Sequence, residues 1–399
     1  MWMFKGETLS RFLYGFVLLF ALGFCLRAAG ASFLFDATKA EMAGNADWVI
    51  DADVHNLKIN VASDGSGTAG AGNESNPQRY PTPDQSTVTA STPENYWAGG
   101  LSAWAIDLVK NGHHVETLPY NGHITWRDGS NAQDLTNYNV FVAVEPNILF
   151  TAAEKAALIN FVKNGGGLFI VSDHGVSDRN NDGVDSVAVL NDLMTNTVQN
   201  QPFGIHYNGD NISPNTSNTD TNASDPIIHG PAGVVNNFYY NNGSSITVNT
   251  GQNASVSIAL WNTGARATNN AIIVYGTYGA GKFVTTGDSS PFDDGTGDPG
   301  DSLYYAQGYA DPSTSNGKAI LNASLWLVQT SAPPVLKITT PTATTFQVAW
   351  PQGTTSYSLQ ASTNLSAWIT VSNGIQTAGT NYVLTNSLTG QKQFFRLSK

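Results

Sequence analysis

Two uninterrupted apolar runs anchor the first half of the chain, NVFVAVE at 139–145 and GLFIVSD at 167–173. Apolar residues at nearly every position, rather than at every second one, mark strands covered on both faces. Between them, TAAEKAALINFVKN (151–164) spaces its apolar positions at helical intervals. Thr151 and Glu154 stand in capping-box positions, and Gly165-Gly166-Gly167 ends the segment. Strand, helix and strand in this order predict a right-handed crossover that leaves the two strands parallel and near each other.

The same reading extends outward. FLF (33–35) and HHVETL (113–118) are strand candidates. AIIVYGTY (271–278) and KFVTTGD (282–288), joined by Gly279-Ala280-Gly281, predict a hairpin. Helical spacing predicts helices over 92–111, 185–196 and 316–329. Residues 51–92 form a polar insertion, and 200–255 is Asn-rich with little periodicity. The pattern predicts an α/β domain over 32–330, a mostly parallel sheet flanked by helices. Ser331-Ala332-Pro333-Pro334 reads as a linker, and 335–399 changes to short alternating strands that predict a small all-β sandwich.

The N-terminus changes the picture of where the chain works. Lys5 and Arg11 precede the apolar run 12–26, and Ala29-Gly30-Ala31 offers small residues for cleavage, so 1–31 reads as a signal peptide. The run is shorter than the span of about 20 residues that crosses a bilayer. The expected mature chain is secreted or extracytoplasmic and not an integral membrane protein. Its one cysteine, Cys25, leaves with the signal, which excludes disulfides, zinc–thiolate sites and a cysteine nucleophile. With 18 Lys+Arg against 30 Asp+Glu the formal charge is −12, which repels phosphate backbones and argues against nucleic acid as a partner. Abundant Trp and Tyr among Asn, Ser and Thr suit a protein that meets a polysaccharide or cell-surface polymer.

Candidate chemistry collects at the strand ends. Glu145 closes one apolar run, Asp173-His174 the next, and Asp288 the last strand, with Ser289-Ser290 behind it. Parallel strands put those ends on one edge, where open sheets bind ligands. Neighbouring carboxylates repel unless a cation or a shared proton joins them. Asp173, His174, Glu145 and Asp288 are therefore the candidate catalytic set. Its carboxylates would hold a divalent cation or activate water, with His174 as acid/base. Asp36, Lys39, Glu41, Asn45 and Asp47 follow the first strand and belong to the same edge. In DRNNDGVD, the residues Asp178, Asn180, Asp182 and Asp185 space their oxygens around Gly183 like the first half of a calcium loop, with Val189 where the last acid would stand. The competing reading is a solvated turn capping the helix that starts near 185. Trp126 and Tyr207 are candidates for stacking on sugar rings.

The order NVFVAVEPN, TAAEKAALINFVKNGGGLFIVSDH, DPIIHG and YGAGKFVTTGDSS resembles the class I glutamine amidotransferase-like fold, and within it the trehalose-utilisation-protein-like branch. The resemblance covers residues 33–330 and implies a flavodoxin-like sheet. Such proteins carry a nucleophilic Cys or Ser at a sharp turn after a central strand. Here that place reads Val144-Glu145-Pro146-Asn147, with no thiol or hydroxyl, so cysteine-dependent amidotransfer is not expected. The tail, through YSLQASTNLSAWITV (357–371) and FFRL (394–397), resembles a C-terminal module of secreted proteins from Verrucomicrobia and related phyla, which implies an accessory or surface-retention role. Two functions stay open. One is a hydrolase-like protein with an acidic, divalent-metal site acting on or binding carbohydrate or another polymer. The other is a non-catalytic, calcium-stabilised binding or structural protein.

Overall fold

The computed structural model describes residues 30–43, 46–51, 59–61, 67–69, 82–249, 252–296, 307–329, 336–339, 342, 344–351, 357–378, 381–387 and 393–398. The expected signal peptide, apart from its last two residues, and the expected linker lie outside them, as does much of the polar insertion.

The strands of the main sheet are β1 (Ser32–Asp36), β2 (His114–Leu118), β3 (Val140–Val144), β4 (Gly167–Val171), β5 (Ile205–Tyr207), β6 (Ile246–Val248), β7 (Ser255–Trp261), β8 (Ala271–Tyr278) and β9 (Gly281–Thr286). They follow the order β2-β1-β3-β4-β9-β8-β6-β5, with β7 also pairing β8. The first five are mutually parallel, and the hairpin from β8 to β9 turns the rest of the sheet antiparallel.

Four helices cover this sheet: α1 (Ser102–Lys110), α2 (Ala152–Lys163), α3 (Ser186–Leu193) and α4 (Asn316–Val328). The strand alternation assigns each side chain to a face. Phe33, Phe35, Val140, Val142, Val144, Phe169 and Val171 pack with Trp104 and Leu108 of α1 and Ile320 and Leu327 of α4. Their neighbours Leu34, Phe141, Ala143, Leu168 and Ile170 pack with Leu158 and Phe161 of α2 and Leu190 and Leu193 of α3. Both strand faces need cover, which is why the sequence runs are apolar throughout. The α2 capping box forms as its sequence predicts, with Thr151 and Glu154 each accepting from the other's backbone N–H.

Register sets the chemistry. Val144 stands opposite Val171, and Val171 opposite Thr286, so Glu145, Ser172 and Gly287 lie at one level, with Asp173 and Asp288 one residue further. Strand order reverses between β1 and β3, the crevice where open α/β sheets take ligands. The five parallel strands have the flavodoxin-like order that the resemblance implies.

Two differences from the sequence reading have physical causes. The helix expected from residue 92 begins only at Ser102. Residues 99–101 instead lie along the loop after β1, where Gly100 N donates to Asp47 O (2.8 Å) and Leu101 N to Val49 O (3.0 Å). A Cβ at Gly99 would sit 2.4 Å from Val49 O, so the close approach requires glycine. The Asn-rich region holds β5, β6 and the start of β7, the first two only three residues long. Segments that short show no readable period.

The C-terminal part forms a four-stranded and a three-stranded antiparallel sheet. Phe346, Val348, Trp350, Leu359 and Leu384 make their core. The molecule is thus an α/β fold followed by a β-sandwich. Among the described residues, no helix is long and apolar enough to cross a membrane.

Candidate functional site

Glu145 closes β3 with φ of 50°, a left-handed conformation that costs a residue with a side chain on the order of 1 kcal/mol. Several contacts hold it there. Glu145 N donates to Val171 O (2.9 Å), and Asn147 Nδ2 donates to Glu145 O (2.7 Å). Its carboxylate is fully buried and collects donors from three separate segments. Trp48 Nε1 donates to Oε2 at 2.6 Å, Ser289 Oγ to the same atom at 2.8 Å, and Arg179 Nε to Oε1 at 2.6 Å.

Arg179 also reaches the neighbouring strand end, where its Nη2 donates to Asp173 Oδ2 at 3.1 Å. The other Asp173 oxygen accepts from His174 N (2.7 Å), and Asp173 N donates to Ser186 Oγ at the start of α3 (3.0 Å). Burial pushes the Asp173 carboxyl well above the usual range; Glu145 and Asp288 push the same way and Arg179 opposes them. Glu145 and Asp173 thus lie under one guanidinium, which bridges both carboxyls. Asp288, at the end of β9, accepts from Ser290 N (2.9 Å) and from Asn241 N. Burial raises its pKa to about 8, against those N–H donors and with Glu145 adding to the rise.

The three acids read from the strand ends therefore meet at one edge. His174 stands beside them, half-buried, with Nδ1 2.6 Å from Gly175 O. A carbonyl partner makes Nδ1 the protonated nitrogen and leaves Nε2 as the basic one. Ser289 and Ser290 do not approach His174 as a nucleophile would. Their hydroxyls donate to Glu145 and to Asn241 O (3.0 Å).

The expected calcium loop has a different construction. Asp178 accepts from Asp182 N (3.1 Å) and Gly183 N (2.7 Å), and Asp182 from Val184 N (2.8 Å). Asp185 caps α3 by accepting from Ala188 N (2.8 Å), and its second oxygen accepts from Val176 N (2.6 Å). Asn180 turns its amide nitrogen toward Asp182 Oδ2 (3.0 Å). The oxygens face the loop's own N–H groups, and no group of three or more His, Cys, Asp or Glu is placed to hold a metal among the described residues. What the loop supplies is Arg179, positioned by its N–H on Asn147 Oδ1 (2.9 Å).

Arg179 and Trp48 are the residues missed in the sequence. The signal for the first was a lone cation in an otherwise acidic loop. The signal for the second was a tryptophan among the polar residues after β1.

The remaining candidates separate. Lys39 is held by both oxygens of Glu154 at 2.8 Å, tying the β1 loop to the α2 cap. Asp36 Oδ2 and Glu41 Oε1 are buried and have no hydrogen-bond partner among the described residues. Burial raises Asp36 to about 6 and lifts Glu41 well above its usual range, with Asp36 the next cause for Glu41. Asn45 lies outside the described residues. Tyr207 is no stacking platform: it is buried in β5 with its hydroxyl against Thr285. Trp126 packs on Phe161, ring centres 5.8 Å apart.

No family model matches the chain, and no curated protein matches it. Solved structures to which it is similar include the mmIFT52 N-terminal domain, at 18% identity over 61% of this chain and 97% of that one, with a TM-score of 0.42. Cytoplasmic protein STM3548 from Salmonella typhimurium shares 13% identity over 74% of this chain and 98% of that one, TM-score 0.40. A protein described as ThuA-like from Bacteroides uniformis shares 15% over 57% and 84%, TM-score 0.32. At these scores the fold rests on the sheet order and register, and the chemistry on the residues themselves.

Proposed function

We propose that the chain is a hydrolase-like α/β protein of the cell exterior that acts on a carbohydrate or another polymer, with its reaction centre at Glu145, Asp173, His174 and Asp288. One observation supports this reading: Glu145, Asp173 and Asp288 are buried together at the strand-end edge of a parallel sheet, with Arg179 bridging the first two and burial pushing Asp173 well above the usual carboxylate range. A carboxyl kept neutral beside a second carboxyl is how proteins hold an acid ready at neutral pH. His174, with Nδ1 engaged by Gly175 O, offers Nε2 as the base.

In the step this implies, a water oxygen bonds the electrophilic carbon of the scissile linkage and its proton passes to His174 Nε2. The bond to the leaving oxygen breaks, and that oxygen takes the proton of Asp173. Arg179 then faces two carboxylates instead of one, which favours the charge that the step creates. Asp288, raised by burial, is the second proton reserve.

The test is release of reducing ends from a panel of soluble polysaccharides by the parent, Asp173→Asn and His174→Ala, each checked for folding by its thermal transition. The reading expects each variant to lose about 100-fold or more, the usual worth of a positioned acid or base. A parent without turnover, or variants as active as the parent, would contradict it.

A second reading has its own support. Every oxygen of Glu145 is engaged, by Trp48, Ser289 and Arg179, and the three acids are almost wholly buried. The network would then be a lock joining five segments in a non-catalytic binding protein. Loss of stability in Glu145→Gln, alongside a parent inert on every substrate, selects this reading.

A further inference from the structure

The C-terminal module has a cavity of about 620 Å³, lined from both of its sheets. That lies within the roughly 300–1,000 Å³ of ordinary small-molecule sites. Its apolar part comes from Ile369, Val371, Leu384 and Phe395, and its polar part from Thr363, Asn364, Asn373, Thr385, Asn386 and Gln393. None of the described residues that line it carries a charge. Ile369 is 74% exposed, so apolar surface faces the opening instead of joining the module's core. The side chains of Thr363 and Asn373 are exposed and make no hydrogen bond to a described residue, so a ligand can reach them.

We infer that this cavity binds a neutral carbohydrate chain. A sugar ring offers C–H faces to the isoleucine and phenylalanine surface and hydroxyls to the amides and threonines. A charged ligand would lose hydration here and find no counter-charge among the described lining residues. A purely apolar ligand would bury the amides without partners, at a cost for each. Only a ligand that is uncharged, hydroxyl-rich and apolar on its faces meets both halves of the lining. The site is remote in sequence from the reaction centre, and the inference does not depend on that centre being catalytic.

The experiment uses the full chain carrying Asp173→Asn, so that turnover cannot consume the probe, and measures retention on insoluble cellulose, chitin, xylan and mannan. Polygalacturonate serves as the anionic comparison. Retention on at least one neutral polysaccharide is expected, weaker by about tenfold (1.4 kcal/mol) in Ile369→Ser and in Asn373→Ala. Ile338→Ser, at an exposed position outside the cavity, should bind like the parent. Both cavity positions are exposed, so their variants keep the parent's thermal transition. Retention on none of the neutral polymers, equal retention on polygalacturonate, or binding indifferent to both cavity variants overturns the inference. Binding that survives while the Asp173 variant proves as active as the parent would sink the reaction centre alone.

Discussion

Arg179 Nε and Nη2 lie against Glu145 and Asp173, two carboxyls that would otherwise face each other under cover. Breaking a buried pair by removing one partner leaves an uncompensated charge. Arg179→Met should therefore cost about 3–5 kcal/mol in a urea titration. Lysine should rescue little, since one ammonium cannot reproduce a fork spanning two acids. A neutral effect of Arg179→Met would mean the acids do not depend on it. Asp288 makes a second residue-scale prediction, with its sign set by linkage. Its folded value is about 8 against an ordinary 3.8, so the folded state binds the proton more tightly. Its contribution is fully present below 3.8, and stability falls as pH rises from there through about 8. Asp288→Asn should flatten that decline relative to the parent in urea titrations across the same range. A decline unchanged in slope would place the titration elsewhere.

At the scale of elements, the α2 cap does more than start a helix. Glu154 closes the capping box and also holds Lys39, whose side chain is 7% exposed. Thr151→Ala should cost about 1 kcal/mol, the ordinary worth of an N-cap. Glu154→Gln, which leaves the Lys39 ammonium without its counter-charge under cover, should cost more, about 3 kcal/mol or above. The reverse order in chemical denaturation would contradict the tie between cap and loop. Elements of this kind were legible in the sequence because helix α2 and strands β3 and β4 carry complete local signals: a cap, a period, a glycine stop. The alignment of Glu145 with Asp173 followed from those signals and the handedness of crossovers, and that of Asp288 from the fold the resemblance implies. Trp48, Ser289 and Arg179 were not legible as partners of Glu145, since 97, 144 and 34 residues separate them from it. No periodicity reports which distant donor a carboxylate will meet. The oxygen spacing of the 178–185 loop is visible in sequence, whereas the backbone N–H groups from which those oxygens accept are not.

For the whole molecule, the α/β cores and the sandwich core share no residue. Each can exclude water without the other. Removing 331–399 should leave the α/β part with a cooperative thermal transition of its own, and calorimetry of the full chain should resolve two transitions. A truncated chain that fails to fold would show that the sandwich is needed for the larger core.

The central claim is that burial and the neighbouring acids favour the protonated form of Asp173. Infrared difference spectroscopy of the parent against Asp173→Asn reads this directly through the carbonyl stretch of a protonated carboxyl. The account predicts such a band in the parent at neutral pH, lost in the variant and shifted in Glu145→Gln. A parent spectrum at neutral pH with no protonated-carboxyl band assignable to Asp173 would contradict it.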